Sequence, residues 1–239
     1  MDRPLFGTFM DIKDNLELAA TLSLLAYDEE IPLATKVECK KTSTTAFIYF
    51  FDDQTVVVFR GTQQLLDWKY NLRALPWRYK GRWCHKGFAK AHKSVWSEIE
   101  PYLEDDMPVL FTGHSLGAVL AEYSAQALGK HKSVSLITFG KPNGFLKKSR
   151  ALMPWLAAQV SVCSGSDLVA RIPHFCYAPD AGQQMLYFDN TEASMGFWDP
   201  PREAMLRDWR PRDAISDHSM DQYKAKVLSY LEKNWVNPP

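Results

Sequence analysis

The sequence lacks the features that mark membrane spans, metal centres and nucleic-acid-binding proteins. No apolar run approaches the roughly 18 to 20 residues needed to cross a bilayer. The four cysteines have no C-x-x-C spacing, which argues against a metal site and favours reduced thiols over disulfides. Lysine plus arginine and aspartate plus glutamate each number 28, so only a local patch could attract an anionic partner. We therefore expect no metal, no nucleic-acid partner and no transmembrane segment.

The N-terminus also lacks a secretory signal, because Asp11 and Asp14 precede any long apolar core. The location stays open: cytoplasmic as written, or exported as a trimmed or non-classically secreted form. No repeat or low-complexity linker interrupts the 239 residues, and 46% of them are apolar, enough for a sizeable core. We therefore expect a single domain over residues 1–239 and leave the oligomeric state open.

Hydrophobic periodicity changes along the chain, from an antiparallel start to alternating strands and helices. Two β-branched and aromatic runs flank Asp52-Asp53-Gln54, a hairpin signature. Buried-looking strands that alternate with helices predict an α/β fold, a mostly parallel doubly wound sheet flanked by helices, with an antiparallel N-terminal hairpin. The predicted helices cover residues 14–27, 88–102, 118–128 and 219–235, and the predicted strands cover residues 35–40, 45–51, 55–60, 109–112, 134–139 and 159–163.

The pentapeptide Gly113-His114-Ser115-Leu116-Gly117 lies between a predicted strand and an alanine-rich predicted helix. This context is typical of a nucleophile elbow, in which a strained, sharp turn projects the serine hydroxyl from the top of the sheet. The two glycines keep Cβ atoms out of the closely approaching strand and helix. The first N–H groups of the helix also point to where negative charge develops. Ser115 is therefore the candidate nucleophile.

A serine at its ordinary pKa needs a histidine base, and three histidines follow Ser115. His131 lies at the end of the elbow helix and should point away from the active face. His174 follows a proline and is compatible with a loop or core position. His218 lies in a polar loop just before the last helix, so its position fits a base best; the alternative is a solvated loop histidine.

An acid is also needed to orient the histidine, and in α/β-hydrolases it lies between the serine and the histidine in the chain. Asp167 follows the strand that ends at Cys163, and functional side chains of open sheets lie just past the carboxyl ends of strands. Asp217 adjoins His218 too closely to face its ring easily. The remaining candidates are placed as solvated loop acids: Asp180, Asp189 and Asp199.

Seven ordered blocks of the sequence resemble the class 3 lipases, the fungal-type triacylglycerol lipase family of α/β-hydrolases. The resemblance covers most of the chain and is far more specific than the pentapeptide alone. The blocks are Phe59–Thr62, Asp67-Trp68 with Asn71-Leu72, His85–Phe88, Thr112–Gly117, Thr138–Pro142, Asp167–Pro173 and Asp217-His218. Three departures, Ala118, Asn143 and Ala170, remove no catalytic group and bear on the subfamily only.

The resemblance implies an acid at Asp167 and a base at His218, in agreement with their positions. It also implies an oxyanion hole from the backbone N–H, and the hydroxyl, of Thr62 with the N–H of Leu116. Without the resemblance, Thr62 would be interpreted as a β-branched strand terminus. Two further histidines, His85 beside the predicted site and His114 beside the nucleophile, are expected to have structural roles.

These roles predict acyl transfer, in which a serine ester forms and is hydrolysed by water without a metal or an organic cofactor. The substrate is expected to be a lipid or another ester, met at a lipid–water interface if the enzyme is a lipase. The family's amphipathic lid would correspond to Leu65, Leu66 and Trp68, for which a plain packed helix is the alternative. Residues 185–210 could form a second wall, or their aromatic side chains could be ordinary packing.

Three functions follow from the sequence. A lipase on long-chain acylglycerols is favoured, a soluble carboxylesterase for short acyl or aryl esters is the alternative, and a non-catalytic ligand-binding α/β-hydrolase is remote because the triad is intact.

Overall fold

An eight-stranded sheet forms the centre of the fold in this computed structural model. The helices are α1 (Phe9–Leu25), α2 (Lys86–Ile99), α3 (Leu116–Leu128) and α4 (Met220–Trp235). The strands are β1 (Thr35–Cys39), β2 (Thr44–Phe50), β3 (Thr55–Phe59), β4 (Pro76–Tyr79), β5 (Arg82–His85), β6 (Val109–His114), β7 (Val134–Phe139), β8 (Phe145–Leu146), β9 (Ala158–Ser164), β10 (Tyr177–Ala178), β11 (Gln184–Phe188) and β12 (Ala193–Phe197). The structure describes residues 9–28, 31–62, 75–103, 106–129, 133–149, 153, 155–165, 167–173, 177–178, 184–188, 193–197 and 216–235.

The strand order of this sheet is β1-β2-β3-β6-β7-β9-β11-β12. Strands β3, β6, β7, β9 and β11 are parallel, whereas β1-β2-β3 and β11-β12 are antiparallel. The predicted α/β fold with its antiparallel N-terminal hairpin is therefore confirmed. Neither the parallel β11 nor the antiparallel β12 at the far edge was predicted.

Helices cover both faces of the sheet, and strand β3 shows why its sequence is apolar throughout. Val57 and Phe59 pack into a cluster with residues of α2 and α3. Val56 and Val58 pack into a second cluster, on the other face, with residues of α1 and α4. A strand that is buried on both faces needs no polar alternation. The sheet therefore lies between two apolar layers.

The main elements begin and end close to the predicted residues, with α1 beginning five residues earlier. Helix α2 ends at Ile99, and a 3₁₀ turn from Glu100 to Leu103 follows, because Pro101 cannot continue the α-helical hydrogen bonds. A second sheet, ordered β10-β8-β5-β4, was not predicted. Its strands contain only two to four residues, too few for a readable alternation.

Within residues 185–210, the described part belongs to the sheet. Strand β11 is parallel to β9, with Leu186, Tyr187 and Phe188 buried, so these aromatics are ordinary packing. Cys39, Cys84 and Cys163 are free thiols, while Cys176 lies outside the described residues. Among the helices of the described ranges, none has the length and apolarity to cross a membrane.

Candidate active site

Ser115 occupies the sharp turn between β6 and α3 with a left-handed backbone, at φ 58° and ψ −124°. Such a conformation in a residue other than glycine typically costs about 1–3 kcal/mol and is found at functional sites. A Cβ atom on Gly113 would lie 2.6 Å from the carbonyl carbon of Gly117. A Cβ atom on Gly117 would lie 2.0 Å from the Phe59 oxygen. Both glycines are therefore required by the close approach of β3, β6 and α3.

Asp167 and His218 meet although 51 positions separate them in the chain. His218 Nδ1 donates to Asp167 Oδ2 at 2.8 Å, and both side chains are buried. Asp167 follows β9, and His218 ends the 3₁₀ turn Ser216–His218 that precedes α4. A proton held on Nδ1 by a carboxylate leaves Nε2 able to accept a proton from a hydroxyl group.

Four hydrogen bonds from described residues converge on the Asp167 carboxylate. The backbone N–H groups of Val169 and Ala170 donate to Oδ1 at 2.8 and 3.3 Å. The Tyr223 hydroxyl donates to Oδ2 at 2.6 Å, beside the bond from His218. Burial, together with the negative charge of Asp167, raises the pKa of Tyr223 well above its usual value, so the phenol stays a donor. The carboxylate is held in one orientation.

His114, the residue before the candidate nucleophile, packs against the candidate base. Its ring centroid lies 4.5 Å from that of His218, and its Nδ1 lies 2.7 Å from the Tyr27 hydroxyl oxygen. Burial, with the nearby charge of His218 as a second cause, holds the pKa of His114 well below its usual value. His114 is therefore neutral, and it packs against the ring of His218.

Gly140 also lies against the His218–Asp167 pair. It follows β7 with φ 55°, and an added Cβ atom would lie 2.8 Å from Asp167 Oδ2 and 3.0 Å from His218 Nδ1. The backbone N–H of Ser115 donates to the Phe139 oxygen at 3.0 Å, which ties the elbow to this strand end. His218 therefore lies close both to His114, which ends β6, and to Gly140, which follows β7.

Ser115 Oγ and His218 Nε2 are both buried, and within the described residues neither makes a hydrogen bond. The structure thus brings the base and the acid into direct contact and holds the serine beside them through His114 and Gly140. Catalytic hydrogen bonds are often long in the free enzyme and tighten when the substrate is bound.

The predicted oxyanion residues lie on either side of the elbow. Leu116 is the first residue of α3 and is buried. Thr62 follows Gly61, which lies against the elbow: an added Cβ atom on Gly61 would lie 2.7 Å from the His114 oxygen and 2.0 Å from the Tyr27 hydroxyl oxygen. The end of β3 thus brings Thr62 towards the turn that carries Ser115.

A cavity of about 430 Å³ opens beside Thr62. Its lining is largely polar: Glu38, Lys40, Ser43, Thr45, Arg60, Gly61 and Thr62. The β1–β2–β3 hydrogen bonds bring three of these residues together, because Glu38 pairs with Thr45 and the Arg60 N–H donates to the Thr45 oxygen at 3.0 Å. This space suits the polar part of a substrate better than an acyl chain.

Of the other residues named from the sequence, His85 can be compared with the structure, and the rest lie outside the described residues. His85 is structural, because its Nδ1 accepts from the N–H groups of Gly87 and Phe88 and so caps α2. The predicted lid residues Leu65, Leu66 and Trp68 lie outside the described residues, and so do His131, His174, Asp180, Asp189 and Asp199.

Sequence reasoning missed Tyr223 and Gly140 as parts of the site. Tyr223 lies within the predicted helix 219–235, and no motif marked it as a site residue. Gly140 belongs to the Thr138–Pro142 block, whose match to the family was the one available signal. The buried ion pair between Glu122 of α3 and Lys141, which is next to Gly140, was not predicted from the sequence either.

Comparisons with known proteins bear on the family and the fold. The family model described as Lipase (class 3) matches residues 56–176, a little over half of the chain. Lipase II from Rhizopus niveus superposes with a TM-score of 0.73 at 16% identity, over 89% of this chain and 94% of that chain. The triacylglyceride lipase of Rhizomucor miehei gives 0.71 at 20% identity, with coverage of 89% and 94%. The lipase of Rhizopus microsporus var. chinensis also gives 0.71 at 20%, with coverage of 89% and 87%. At these identities the structures support the fold, and the family rests on the sequence match.

Proposed function

This chain belongs to the class 3 lipase family, and from that premise we propose that it is a lipase that cleaves acylglycerol esters through Ser115, His218 and Asp167. Membership of the family makes it a carboxylic-ester hydrolase. The observation that carries the residue assignment is the buried His218–Asp167 hydrogen bond beside a serine in a strained turn. One similar structure, at 19% identity, is described as a triacylglycerol lipase whose catalytic centre is a serine protease triad.

In the proposed reaction, Ser115 Oγ attacks the ester carbonyl carbon while His218 Nε2 takes the hydroxyl proton. The ester C–O bond then breaks, and His218 returns the proton to the leaving alcohol. Asp167 holds the ring so that Nδ1 keeps its proton, and it stabilises the imidazolium that forms. Water, deprotonated by His218, hydrolyses the acyl-enzyme and regenerates Ser115.

The negative charge of the tetrahedral intermediate needs donors that are already in place. The backbone N–H of Leu116, at the start of α3, is one proposed donor, and the helix dipole favours an anion there. Thr62 is the second, through its N–H and hydroxyl. One such donor typically contributes about 10²–10³ in kcat.

The burial of the site supports a lipase that opens at an interface. Ser115 and Asp167 are completely buried, and His218 is almost so. An ester therefore reaches the serine only after the groups that cover it move aside. A fungal lipase–inhibitor complex among the similar structures, at 18% identity, is described as a model for interfacial activation. We propose that Leu65, Leu66 and Trp68 belong to the part that moves.

The cavity beside Thr62 favours a second candidate function, an esterase for substrates with polar groups. Lys40 and Arg60 line it together with hydroxyl side chains, a poor environment for an acyl chain. A soluble carboxylesterase acting on short esters fits this lining, whereas long-chain acylglycerols require an apolar groove elsewhere.

The rate of p-nitrophenyl ester hydrolysis as a function of acyl length, with and without an emulsion, separates the two functions. A lipase is expected to cleave long acyl chains and to gain rate when the interface forms. Activity confined to short chains, with no gain at the interface, would rule out the lipase and favour the esterase. An inactive chain that still binds esters would indicate a ligand-binding protein.

A further inference from the structure

One stretch of the chain has a strong excess of positive charge, although the whole chain is neutral. From Trp68 to Ser97 the sequence contains eight lysine or arginine residues and no aspartate or glutamate. The stretch includes the β4–β5 hairpin and most of α2. Nothing in the proposed catalytic reaction uses these charges.

Three lysines of α2 form a stripe on its outer face. Lys86, Lys90 and Lys93 are spaced by four and three residues, so they lie on one side of the helix. Lys90 and Lys93 are exposed, and Lys86 is half-buried. Within the described residues, no ion pair neutralises any of the three. The opposite side of the helix is in the core: Phe88, Ala89, Ala91, His92, Val95, Trp96 and Ile99. We call Lys86, Lys90 and Lys93 the lysine stripe.

Two large apolar side chains adjoin the first lysine of the stripe. Leu75 is 52% exposed and Trp77 is 42% exposed. Lys86 Nζ lies 4.9 Å from the centre of the Trp77 ring, and the Lys86 N–H donates to the Leu75 oxygen at 3.0 Å. The lysine stripe and these two residues, which we call the Trp77 edge, therefore form one continuous surface.

We propose that the lysine stripe and the Trp77 edge together form a docking face for an anionic lipid surface. Tryptophan prefers the boundary between acyl chains and head groups, and lysine stems reach from there towards lipid phosphates. Each basic residue near an anionic bilayer adds attraction that salt screens. The proposed substrate of the enzyme is itself a lipid, which favours a lipid surface over an acidic protein as the occupant of this face.

The docking face extends the proposed lipase function. It rests on that function, because binding to a lipid surface is useful to an enzyme whose substrate is a lipid. Leu75 comes immediately after residues 63–74 in the chain, and these residues include the proposed lid side chains Leu65, Leu66 and Trp68. The docking face is therefore joined in the chain to the end of the segment that contains the proposed lid. The experiment measures binding, so its result does not depend on hydrolysis.

The test uses the full-length Ser115→Ala protein, which leaves the lipid intact, and cosedimentation with two kinds of vesicle. One kind is phosphatidylcholine alone, and the other is phosphatidylcholine mixed with phosphatidylglycerol. We expect binding to the mixed vesicles that weakens as salt is added. The added change Lys90→Gln/Lys93→Gln should lower the partition coefficient about 30-fold. Trp77→Ala should weaken the binding that persists at high salt.

The matched control is Lys13→Gln/Lys233→Gln, which removes the same charge from α1 and α4, on the face of the sheet opposite to α2. It should leave the partition coefficient nearly unchanged. Equal losses in both variants, no loss in the Lys90→Gln/Lys93→Gln variant, or equal binding to both kinds of vesicle would overturn the proposal. Capture by an acidic protein without any vesicle binding would overturn it as well.

Hydrolysis of a soluble short-chain ester separates this proposal from the proposed function. With Ser115 intact, the Lys90→Gln/Lys93→Gln variant should hydrolyse that ester at the wild-type rate. A wild-type chain that binds the mixed vesicles but cleaves no ester would contradict the lipase function and leave the docking face standing.

Discussion

Gly140 sets how closely the acid and the base of the site can lie. An alanine there would place its Cβ atom 2.8 Å from Asp167 Oδ2, against a backbone with φ 55°. We predict that Gly140→Ala lowers kcat sharply, because the His218–Asp167 bond must lengthen to make room. Gly129→Ala is the control, since Gly129 has φ 71° and open space around its Cβ position. It should lower the free energy of unfolding by about 1 kcal/mol and leave kcat unchanged. Similar kcat values for the two variants would contradict this role of Gly140.

Tyr223 is a positioning residue, since it acts on the reaction only through Asp167. Tyr223→Phe removes the donor to Asp167 Oδ2 and the acceptor of the Ser164 N–H. We predict a kcat about 10-fold lower with KM unchanged, the equivalent of one hydrogen bond to a charged group. Tyr230→Phe, on the same helix, should change neither constant. A rise in KM at constant kcat would argue against positioning and for a contact with the substrate.

The residues found from the sequence are those that lie in short linear motifs. Ser115 has its glycines two positions away, and Asp167 and His218 follow a strand and precede a helix. Tyr223 has no such mark, because its role arises only where α4 crosses the end of β9. The lateral contact of His114 with His218 is hidden for the same reason. Contacts between distant segments have no local signature in a single sequence.

At the scale of elements, a buried ion pair joins α3 to the loop after β7. Lys141 and Glu122 are hydrogen-bonded and both are buried. We predict that Lys141→Met alone lowers the free energy of unfolding by about 3–5 kcal/mol, because it removes the Lys141 charge from beside a carboxylate that stays buried. Glu122→Leu/Lys141→Met should cost much less. Urea-induced unfolding provides the measurement.

The exposed pair Lys36–Glu38, 3.2 Å apart on β1, is the matched comparison. Its loss in Lys36→Met should cost under about 1 kcal/mol, since water screens both charges. If Lys141→Met proves no more costly than Lys36→Met, the pair does not hold α3 to the site loop.

Long elements were predictable and short ones were not. The six predicted strands of the main sheet have five or more residues, and most of these strands are apolar, which makes their periodicity clear. Strands β11 and β12 also have five residues, but they were not predicted. The β4–β5 hairpin turns at Lys80-Gly81, where both residues have positive φ, as a two-residue hairpin of type I′ requires. That turn signal was present in the sequence, but the flanking basic and aromatic residues obscured the strands.

At the scale of the whole molecule, buried histidines make stability depend on pH. Burial lowers the pKa of His85 to about 4, that of His92 to about 3, and that of His114 well below its usual value. All three stay neutral in the folded chain at pH values where the unfolded chain, with a histidine pKa near ~6.5, binds protons. Unfolding therefore takes up protons in acid, and the free energy of unfolding should fall as the pH is lowered from about 7 to about 5.

Urea unfolding at a series of pH values checks this expectation. The slope near pH 5 should correspond to an uptake of about three protons on unfolding. A free energy of unfolding that stays constant or increases over this interval would show that the three histidines are charged in the folded state.

The central claim is that Ser115 is the nucleophile of an acyl-transfer site, and an organophosphonate tests it most directly. The account predicts stoichiometric labelling of the wild-type chain, with the phosphonyl group attached to Ser115 Oγ. Ser115→Ala should abolish labelling and lower kcat for ester hydrolysis by about 10⁶. A label on another residue, or ester turnover that survives in Ser115→Ala, would contradict the account.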